Sequence, residues 1–472
     1  METLQRTANR GSVSTGYDID NSLKFEADNS EYLKWTNISS YATSARKKTF
    51  SFSVWFKITE TGVQRTIWAN QANGYLLLQA DGQLKWQQSY GGVVKTLNTN
   101  RLFRDTSAWY NVIIAVDTTQ STESNRQRLY VNGVEETSLT STTYPSQNDE
   151  ADNIYEGFHS LGAYNASSIF WSGYMANVAF ISDAQITPSD VGEFDEDSGI
   201  WIPKEYSGGS APSYFLEFKD SSDLGTATGL DADTLNNITA ADQSTDTPTN
   251  NYATWNAQFH APDGSSGYTG GLVISEGATE AAGISGFDTA LSTMAVSKGK
   301  WYAEFYITGT GTPVYTMIGV AQAERYDLVI GSGGLYVGHS GSSGYSVSLY
   351  GVNGATYPAQ DDGGTASKFN AGDLMSIALD MDNQKIYWRK NGTWLLSDDP
   401  ASNNGYAIPW TGDTYFGVSQ YDADNSIQAN FGGYHANTVS SGNTDADGYG
   451  NFEYSVPSGY YALNTKNLAE YG

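Results

Sequence analysis

The first candidates for catalysis in this chain are carboxylates at alternate positions. A Glu-x-Asp-x-x-Glu run on a strand points two carboxylates into one cleft, where a retaining glycosidase uses one as nucleophile and one as general acid. Residues 193–198 come nearest, but Ser198 stands in place of the second glutamate, and Gly192 and Gly199 flank the run. The sequence therefore predicts an acidic loop, and we expect no catalytic residues and no enzyme activity.

Histidine and cysteine chemistry is equally sparse. The chain has no cysteine, which excludes thiolate metal sites and disulfides. The histidines stand singly, without a second histidine or carboxylate at ligand spacing: His159, His260, His339 and His435. Lone histidines of this kind are typical of structural positions.

One segment copies part of a calcium loop. Asn443, Asp445 and Asp447 alternate as oxygen ligands would, and Gly448 permits the sharp bend. Tyr454 occupies the position of the bidentate glutamate. A plain turn is the favoured interpretation and a calcium ion the alternative, with no other cofactor expected.

Aromatic residues point to carbohydrate binding. The chain has 12 Trp and 33 Tyr, more than two cores of this size require. Sugar rings stack their apolar faces on exposed aromatic rings, while their hydroxyls pair with polar side chains. Aromatic residues beside turn residues are therefore candidate glycan contacts: Trp86, Tyr90, Tyr164, Trp171, Trp394 and Trp410. The alternative for each is a packing role in a core.

The charge balance limits the partners. With 52 acidic and 25 basic residues the net charge is -27, which disfavours nucleic acid and anionic membranes. The strongest basic cluster, Arg46, Lys47 and Lys48, is interpreted as a charged turn. No apolar run is long enough to cross a bilayer, and the N-terminus shows no signal peptide. We expect synthesis in the cytoplasm without membrane insertion.

The elements that position these residues are predicted to be strands. Apolar residues alternate strictly in residues 49–57 and 300–307, which indicates strands with one core face. Asn132-Gly133 and Asn391-Gly392 each follow a strand-turn-strand pattern and predict tight hairpins. Helix signals are nearly absent. The sequence predicts an all-β chain of two antiparallel β-sandwich (jelly-roll) domains in tandem.

Composition places the boundaries of these domains. Residues 1–21 are polar and are predicted to be an N-terminal arm, a possible anchor to a larger particle. The first sandwich is predicted at 22–218 and the second at 252–463, with a C-terminal tail at 464–472. Residues 219–251, which lack every aromatic residue, are predicted to be an acidic linker or long loop.

Longer motifs resemble known families. Residues 102–110, 130–133 and 192–195 resemble the concanavalin A-like (laminin G-like) jelly roll of tailed-phage virion proteins, especially those of marine phages. Residues 299–304, 378–383 and 390–394 resemble a SPRY domain. SPRY ligands meet loops that correspond here to residues 324–346 and to the segment after Trp394.

These resemblances imply a function as well as a fold. They imply a non-enzymatic virion protein on the outer surface of the tail or capsid, and they favour a tail fibre or adhesin that recognises host cell-surface carbohydrate. Its partners would be other virion proteins and the host glycan, and phage fibres lead us to expect a homotrimer. A structural decoration protein is the alternative, and a glycan depolymerase the second alternative.

Overall fold

The computed structural model describes residues 16–71, 74–258, 272–283, 285–311, 314–323, 336–338, 344–358 and 367–472. The chain divides into two compact units, Met1–Asn251 and Tyr252–Gly472, and the division falls where the second domain was predicted to begin. Strands dominate both units in the described residues, and each unit pairs two large sheets around its own apolar core. The predicted all-β fold of two tandem sandwiches is confirmed. No helix in the described residues is long and apolar enough to cross a membrane.

In the described residues, the first unit contains strands and a short α-helix, α1 (Ser44–Lys48). Its strands are β1 (Ser22–Phe25), β2 (Tyr32–Trp35), β3 (Thr49–Ile58), β4 (Arg65–Asn70), β5 (Tyr75–Leu78), β6 (Gln83–Tyr90), β7 (Val93–Leu102), β8 (Trp109–Asp117), β9 (Gln127–Val131), β10 (Val134–Glu135), β11 (Leu139–Thr142), β12 (His159–Leu161), β13 (Gly173–Ser182), β14 (Gly192–Phe194), β15 (Trp201–Pro203), β16 (Pro212–Leu216), β17 (Thr228–Gly229), β18 (Thr234–Asn236) and β19 (Gln243–Ser244).

Two sheets enclose the core of this unit. Among the described residues, one sheet has the order β10-β9-β8-β3-β13-β1-β19, with β16 and β17 joined through β13, and the other has the order β11-β7-β6-β5-β4-β12-β2-β18. Phe52, Trp68 and Phe180 meet between them, and the rings of Trp68 and Phe180 stack with centroids 6.0 Å apart. Alternation along the strands supplies this apolar layer, as the sequence predicted.

Both Asn-Gly hairpins form as predicted. Asn132 and Gly133 have φ of 47° and 78°, and Asn391 and Gly392 have φ of 46° and 83°, as a type I′ turn requires. Asn132 also makes a side-chain hydrogen bond. The side chain of Asn132 accepts a hydrogen bond from the backbone N–H of Asn111 at 2.8 Å, so the turn is also tied to the neighbouring strand.

Residues 219–251, predicted to be a linker, are instead part of the first sandwich. They contribute β17, β18 and β19, which pair with β16, β2 and β1. Apolar contacts and ion pairs both hold the segment: Leu224, Ala232 and Ile238 are buried in the core, Asp242 pairs with Lys24 at 2.9 Å, and Asp246 pairs with Lys57 at 2.7 Å. The absence of aromatic residues did not indicate this role, because the segment packs through aliphatic side chains and buried ion pairs.

This segment also changes the environment of β3. Ser51, Ser53, Trp55 and Lys57 alternate with the core residues, yet all four are buried. The Lys57 ammonium donates to the carboxylate of Asp246, which also accepts from the indole N–H of Trp109 at 3.0 Å. The strand therefore has two covered faces rather than one.

The described end of the predicted N-terminal arm belongs to the same unit. The side chain of Ile19 is buried beside Trp55 and Trp201, and its backbone exchanges hydrogen bonds with the Thr249 hydroxyl. The first sandwich thus extends upstream of residue 22. Residues 1–15 lie outside the described residues.

The second unit has its own set of strands and a C-terminal helix, α2 (Thr465–Tyr471). Its strands are β20 (Val273–Ser275), β21 (Glu280–Ala282), β22 (Ser285–Val296), β23 (Lys300–Gly309), β24 (Thr316–Gln322), β25 (Ser346–Tyr350), β26 (Thr356–Tyr357), β27 (Leu374–Asp380), β28 (Lys385–Lys390), β29 (Thr393–Trp394), β30 (Tyr406–Ala407), β31 (Thr414–Asp422), β32 (Asn425–Asn430) and β33 (Tyr461–Ala462).

These strands again form two sheets in the described part of the chain. One has the order β20-β21-β32-β23-β27-β28-β29, with β30 on β28 and β33 parallel to β23, and the other has the order β22-β31-β24-β25-β26. The predicted tail is not separate. Asn464 caps α2, Leu468 packs in the core, and the rings of Tyr461 and Tyr471 stack 3.7 Å apart.

Candidate functional site

The outer face of the β5–β6 hairpin in the first unit carries a polar and aromatic surface. Along β6, Leu84 and Trp86 point into the core, so the alternation of the strand turns Lys85, Gln87 and Ser89 outward. Tyr75 on β5 lies opposite Gln87. We call this surface, formed by Tyr75, Lys85, Gln87, Ser89 and the adjoining Tyr164, the β5–β6 face.

Two tyrosine rings provide its aromatic part. Tyr75 and Tyr164 are both half-buried, with ring centroids 5.7 Å apart in an edge-to-face arrangement. The hydroxyl of Tyr75 donates to Gln87 at 2.7 Å, which fixes the orientation of the phenol. The ammonium of Lys85 lies 5.5 Å from the centre of the Tyr75 ring. The two rings therefore offer a held, partly accessible apolar surface.

Side-chain amides continue the face along β6 and β7. The amide of Gln79 donates to Asn98 at 2.9 Å, and Asn98 donates to Gln83 at 2.9 Å. Gln83 in turn donates to the hydroxyl of Thr140 at 3.2 Å. Amides oriented in this way present donors and acceptors together, which suits a ligand with many hydroxyl groups.

At the far end of β6 the face runs into an open cleft of about 490 Å³. Its lining is Lys47, Ser89, Gly92, Glu150, Ala151, Asp152, Asn153 and Glu156. A volume of this order lies within the range of small-ligand sites.

Asp152 organises the turn that borders the cleft. Its carboxylate accepts the backbone N–H groups of Gly91 at 3.0 Å and Gly92 at 2.7 Å, and the hydroxyl of Ser89 at 2.7 Å. Partial burial acts to raise the pKa of Asp152, but these donors outweigh it and hold the pKa below its usual range. The carboxylate is therefore ionised at neutral pH and keeps the glycine turn in place.

The basic residues of α1 neutralise part of the acidic wall. Lys47 forms an ion pair with Glu156, and Lys48 lies 4.0 Å from Glu150. Arg46 pairs with Asp183 at 2.7 Å, so the cluster predicted as a charged turn is a helix engaged with acids. Glu156 retains one buried oxygen, Oε2, that has no hydrogen-bond partner in the described residues.

Four of the six predicted glycan contacts prove to be core residues. Trp86 and Trp171 are fully buried, Tyr90 is 2% exposed and Trp410 is 7% exposed. A ring enclosed on both faces cannot stack on a sugar, so the prediction is corrected at these positions. The neighbouring glycines correctly mark turns, but each ring occupies an inward position. Tyr90 lies below the cleft, where β6 bridges to Ala151.

The other two candidates keep accessible surface. Tyr164 belongs to the β5–β6 face. Trp394, in the second unit, is half-buried and covers the guanidinium of Arg389 at 4.8 Å from the ring centre. Tyr302 and Tyr454 lie 5.2 Å from the same guanidinium. One face of Trp394 is thus used inside the protein. Most of the predicted SPRY loop, residues 324–346, lies outside the described residues.

The hydrogen bonds of Asp445 favour the plain turn, the interpretation preferred from the sequence, over the calcium alternative. One carboxylate oxygen accepts from the backbone of Asp447 and Tyr449, and the other accepts from Ala462 and the amide of Asn467, all within 3.0 Å. A cation would have to displace these donors. The amide of Asn443 donates to backbone carbonyls, and Asp447 accepts from Tyr471. The segment is a hydrogen-bonded turn that holds α2.

The acidic run at 193–198 is a hairpin, β14 to β15, in the described residues. Asp195 accepts the backbone N–H and the hydroxyl of Ser198 at 2.7 and 2.6 Å, which closes the turn. His159 is fully buried, and burial lowers its pKa to about 4. His435 lies between Asn437 and Asn451. His260 and His339 lie outside the described residues.

Sequence reasoning missed Tyr75, Lys85 and Gln87. A usable signal exists, because the residues that alternate with Leu84 and Trp86 must point away from the core. No comparable sequence signal identifies the acidic residues of the cleft. Asp152 and Glu156 follow no strand pattern, and only folding brings them next to β6 and α1.

Comparison with known proteins gives one family match. Residues 27–192 match a laminin G-type family that is described as the concanavalin A-like lectin/glucanases superfamily. The matched residues include the β5–β6 face and the cleft. A search of curated protein sequences gives no significant match.

Solved structures with similarity include the SPRY domain of human HERC1, at 18% identity and a TM-score of 0.27, covering 34% of this chain and 91% of that domain. A protein from Bacteroides ovatus described as a putative carbohydrate-binding protein has 16% identity and a TM-score of 0.27, and the match covers 42% of this chain and 56% of that protein. Domains LG4-5 of the mouse laminin α1 chain have 12% identity and a TM-score of 0.29, and the match covers 86% of this chain and 84% of those domains.

Proposed function

We propose that the protein binds carbohydrate through the β5–β6 face and its cleft, without cleaving it. The observation that carries the proposal is the juxtaposition of the Tyr75 and Tyr164 rings with outward amides and a carboxylate-lined cleft. The rings can contact the apolar face of a pyranose, and the amides and Glu156 can pair with its hydroxyls. The family match over residues 27–192 supports a lectin-type sandwich at this position.

Charge favours a neutral or weakly charged sugar. Glu150, Asp152 and Glu156 line the cleft against Lys47, so carboxylates outnumber the ammonium group there. A strongly anionic polymer would meet repulsion from this wall and from a chain with net charge -27. Hydroxyl groups, in contrast, are good donors to carboxylates.

On the biological level we propose a phage virion protein, a tail fibre or adhesin on the outer surface of the particle that attaches to a host glycan. The phage-like motifs of the sequence support this assignment, and the SPRY-like assignment of the second unit rests on the same kind of motifs. A decoration protein would use the same sandwiches without a glycan. Cleavage is disfavoured because Asp195 in the acidic run closes a turn with Ser198.

The test is a glycan array probed with the full chain. The expected result is binding to a defined set of host-type polysaccharides that the double variant Tyr75→Ala/Tyr164→Ala loses. Glu217→Ala, which removes a half-buried carboxylate from the ion pair with the exposed Lys219, is the matched control and should bind as the parent does. Unchanged binding by the double variant would contradict the site. Absence of binding by the parent, with tight association to purified particles, would support decoration, and release of reducing ends would support a depolymerase.

A further inference from the structure

A second aromatic surface lies on the outside of the β22-β31-β24-β25-β26 sheet of the second unit. Its members are Phe287, Tyr315, Tyr336, Tyr350, Tyr357 and Tyr421. We call them the tyrosine cluster. Phe287 is the hub, with ring centroids 4.7 Å from Tyr336, 5.2 Å from Tyr421 and 6.3 Å from Tyr350.

The strands bring these rings together by register. Tyr421 lies beside Tyr315, and its backbone N–H donates to the Tyr315 carbonyl at 3.1 Å. The pairing of β22 with β31 shifts between Ser285 and Asp288, a bulge that places Phe287 next to Tyr421. Four of the six rings therefore lie on strands of the sheet, Tyr315 directly precedes β24, and Tyr336 lies outside the strands.

Exposure limits what this surface can bind. Tyr421 is 44% exposed and Tyr315 is 36% exposed, and the other four rings are half-buried. The two exposed rings meet at 50°, which makes a shallow corner. A corner of two exposed tyrosine rings presents a small apolar surface that can contact the face of one or two sugar rings.

Charge selects the class of ligand. The five strands of this sheet contain no Lys or Arg, and their charged residues are Asp288 and Asp422. Anionic polymers and nucleic acid are therefore disfavoured. The tyrosines offer apolar ring faces and hydroxyls together, which is the combination a neutral pyranose requires.

We propose that the tyrosine cluster is a second carbohydrate-binding site that takes neutral sugars. It is built from different residues in a different unit, so it does not depend on the β5–β6 face. Two weak sites on one chain would raise the apparent affinity for a polymeric glycan through effective concentration.

The test measures binding of the full chain to immobilised neutral oligosaccharides of the cello, xylo, manno and chito series. We expect at least one of them to bind Tyr315→Ala/Tyr421→Ala roughly tenfold or more weakly than the parent. The same oligosaccharide should still bind Tyr75→Ala/Tyr164→Ala. Val273→Ala, which alters an exposed apolar residue on β20, is the matched control and should behave as the parent. Thermal unfolding of each variant establishes that it is folded.

Each other outcome overturns a defined proposal. If Tyr315→Ala/Tyr421→Ala binds the whole panel as the parent does, or if the parent binds none of it, the tyrosine cluster is not a neutral-sugar site. If binding is lost only in Tyr75→Ala/Tyr164→Ala, the β5–β6 face stands alone. A self-association detected by sedimentation and abolished by Tyr315→Ala/Tyr421→Ala would assign the surface to a second copy of the chain instead.

Discussion

Replacing Asp246 by alanine tests whether residues 219–251 are an integral part of the first sandwich. The Asp246 carboxylate accepts from the buried ammonium of Lys57 at 2.7 Å and from the indole of Trp109 at 3.0 Å. Both members of the ion pair are almost inaccessible, with side-chain exposures of 0% and 1%. In Asp246→Ala the buried Lys57 ammonium loses this carboxylate and keeps the neutral Oδ1 of Asn251 as an acceptor at 2.7 Å.

The expected loss is large. Removing one partner of a buried ion pair costs about 3–5 kcal/mol, because the remaining charge is buried without compensation. In a unit of this size 1 kcal/mol shifts the unfolding temperature by about 2–4 °C, so we expect a decrease of about 6–20 °C. Differential scanning calorimetry of the full chain measures it, and the transition of the second unit serves as an internal reference.

Two further variants make the reasoning refutable. Glu217→Ala removes a carboxylate from an exposed pair with Lys219, whose side chain is 54% exposed, and should change the stability by less than about 1 kcal/mol. Lys57→Met/Asp246→Asn removes both buried charges and should recover most of the loss. If Asp246→Ala unfolds at the same temperature as Glu217→Ala, the segment is a linker after all.

Three other predictions follow from single contacts. Burial raises the pKa of Glu31 from 4.5 to about 7, so the folded state binds this proton more tightly than the unfolded state. The free energy of unfolding should therefore fall as the pH rises through that interval. Glu31→Gln should flatten the pH dependence of the unfolding temperature between about pH 5 and about pH 8. Asn132→Gly keeps the turn but removes the acceptor for the Asn111 N–H. It should lower the free energy of unfolding, measured in urea, by about 1 kcal/mol, and Asn132→Asp should lower it by less. Gly133→Ala should cost more than about 2 kcal/mol, because φ is 78° and the added Cβ would lie 2.3 Å from the Trp201 ring; stability equal to the parent would refute this packing.

The parts of the fold that could be predicted are those controlled by local chemistry. The Asn-Gly turns followed from the positive φ that both residues tolerate. The strands followed from alternation, since the side-chain period of two is visible in a single sequence. The hydrogen bond that the backbone N–H of Asn111 donates to the side chain of Asn132 could not be predicted in this way, because it depends on which strand lies beside the turn.

Residues 219–251 illustrate what composition cannot show. A segment without aromatic residues was taken to lack a packing role. Its carboxylates nevertheless meet Lys24 and Lys57, which are distant in the sequence and stand among apolar residues on β1 and β3. The partner of a buried charge can be identified only from the assembled sheets, so no spacing rule links Asp246 to Lys57.

The candidate ligand surfaces differ from those expected because tryptophan and tyrosine are used differently in this chain. Trp86 and Trp171 are fully buried between the sheets, where a large apolar ring contributes most. Tyrosine can remain half-exposed because its hydroxyl stays hydrated or hydrogen-bonded, as that of Tyr75 does with Gln87. Outward aromatic positions in both units are therefore occupied mainly by tyrosine. A binding site built from partly covered phenols offers less stacking area than one built from indoles, so each site should bind weakly, and strong attachment would require several sites acting on one polymeric glycan.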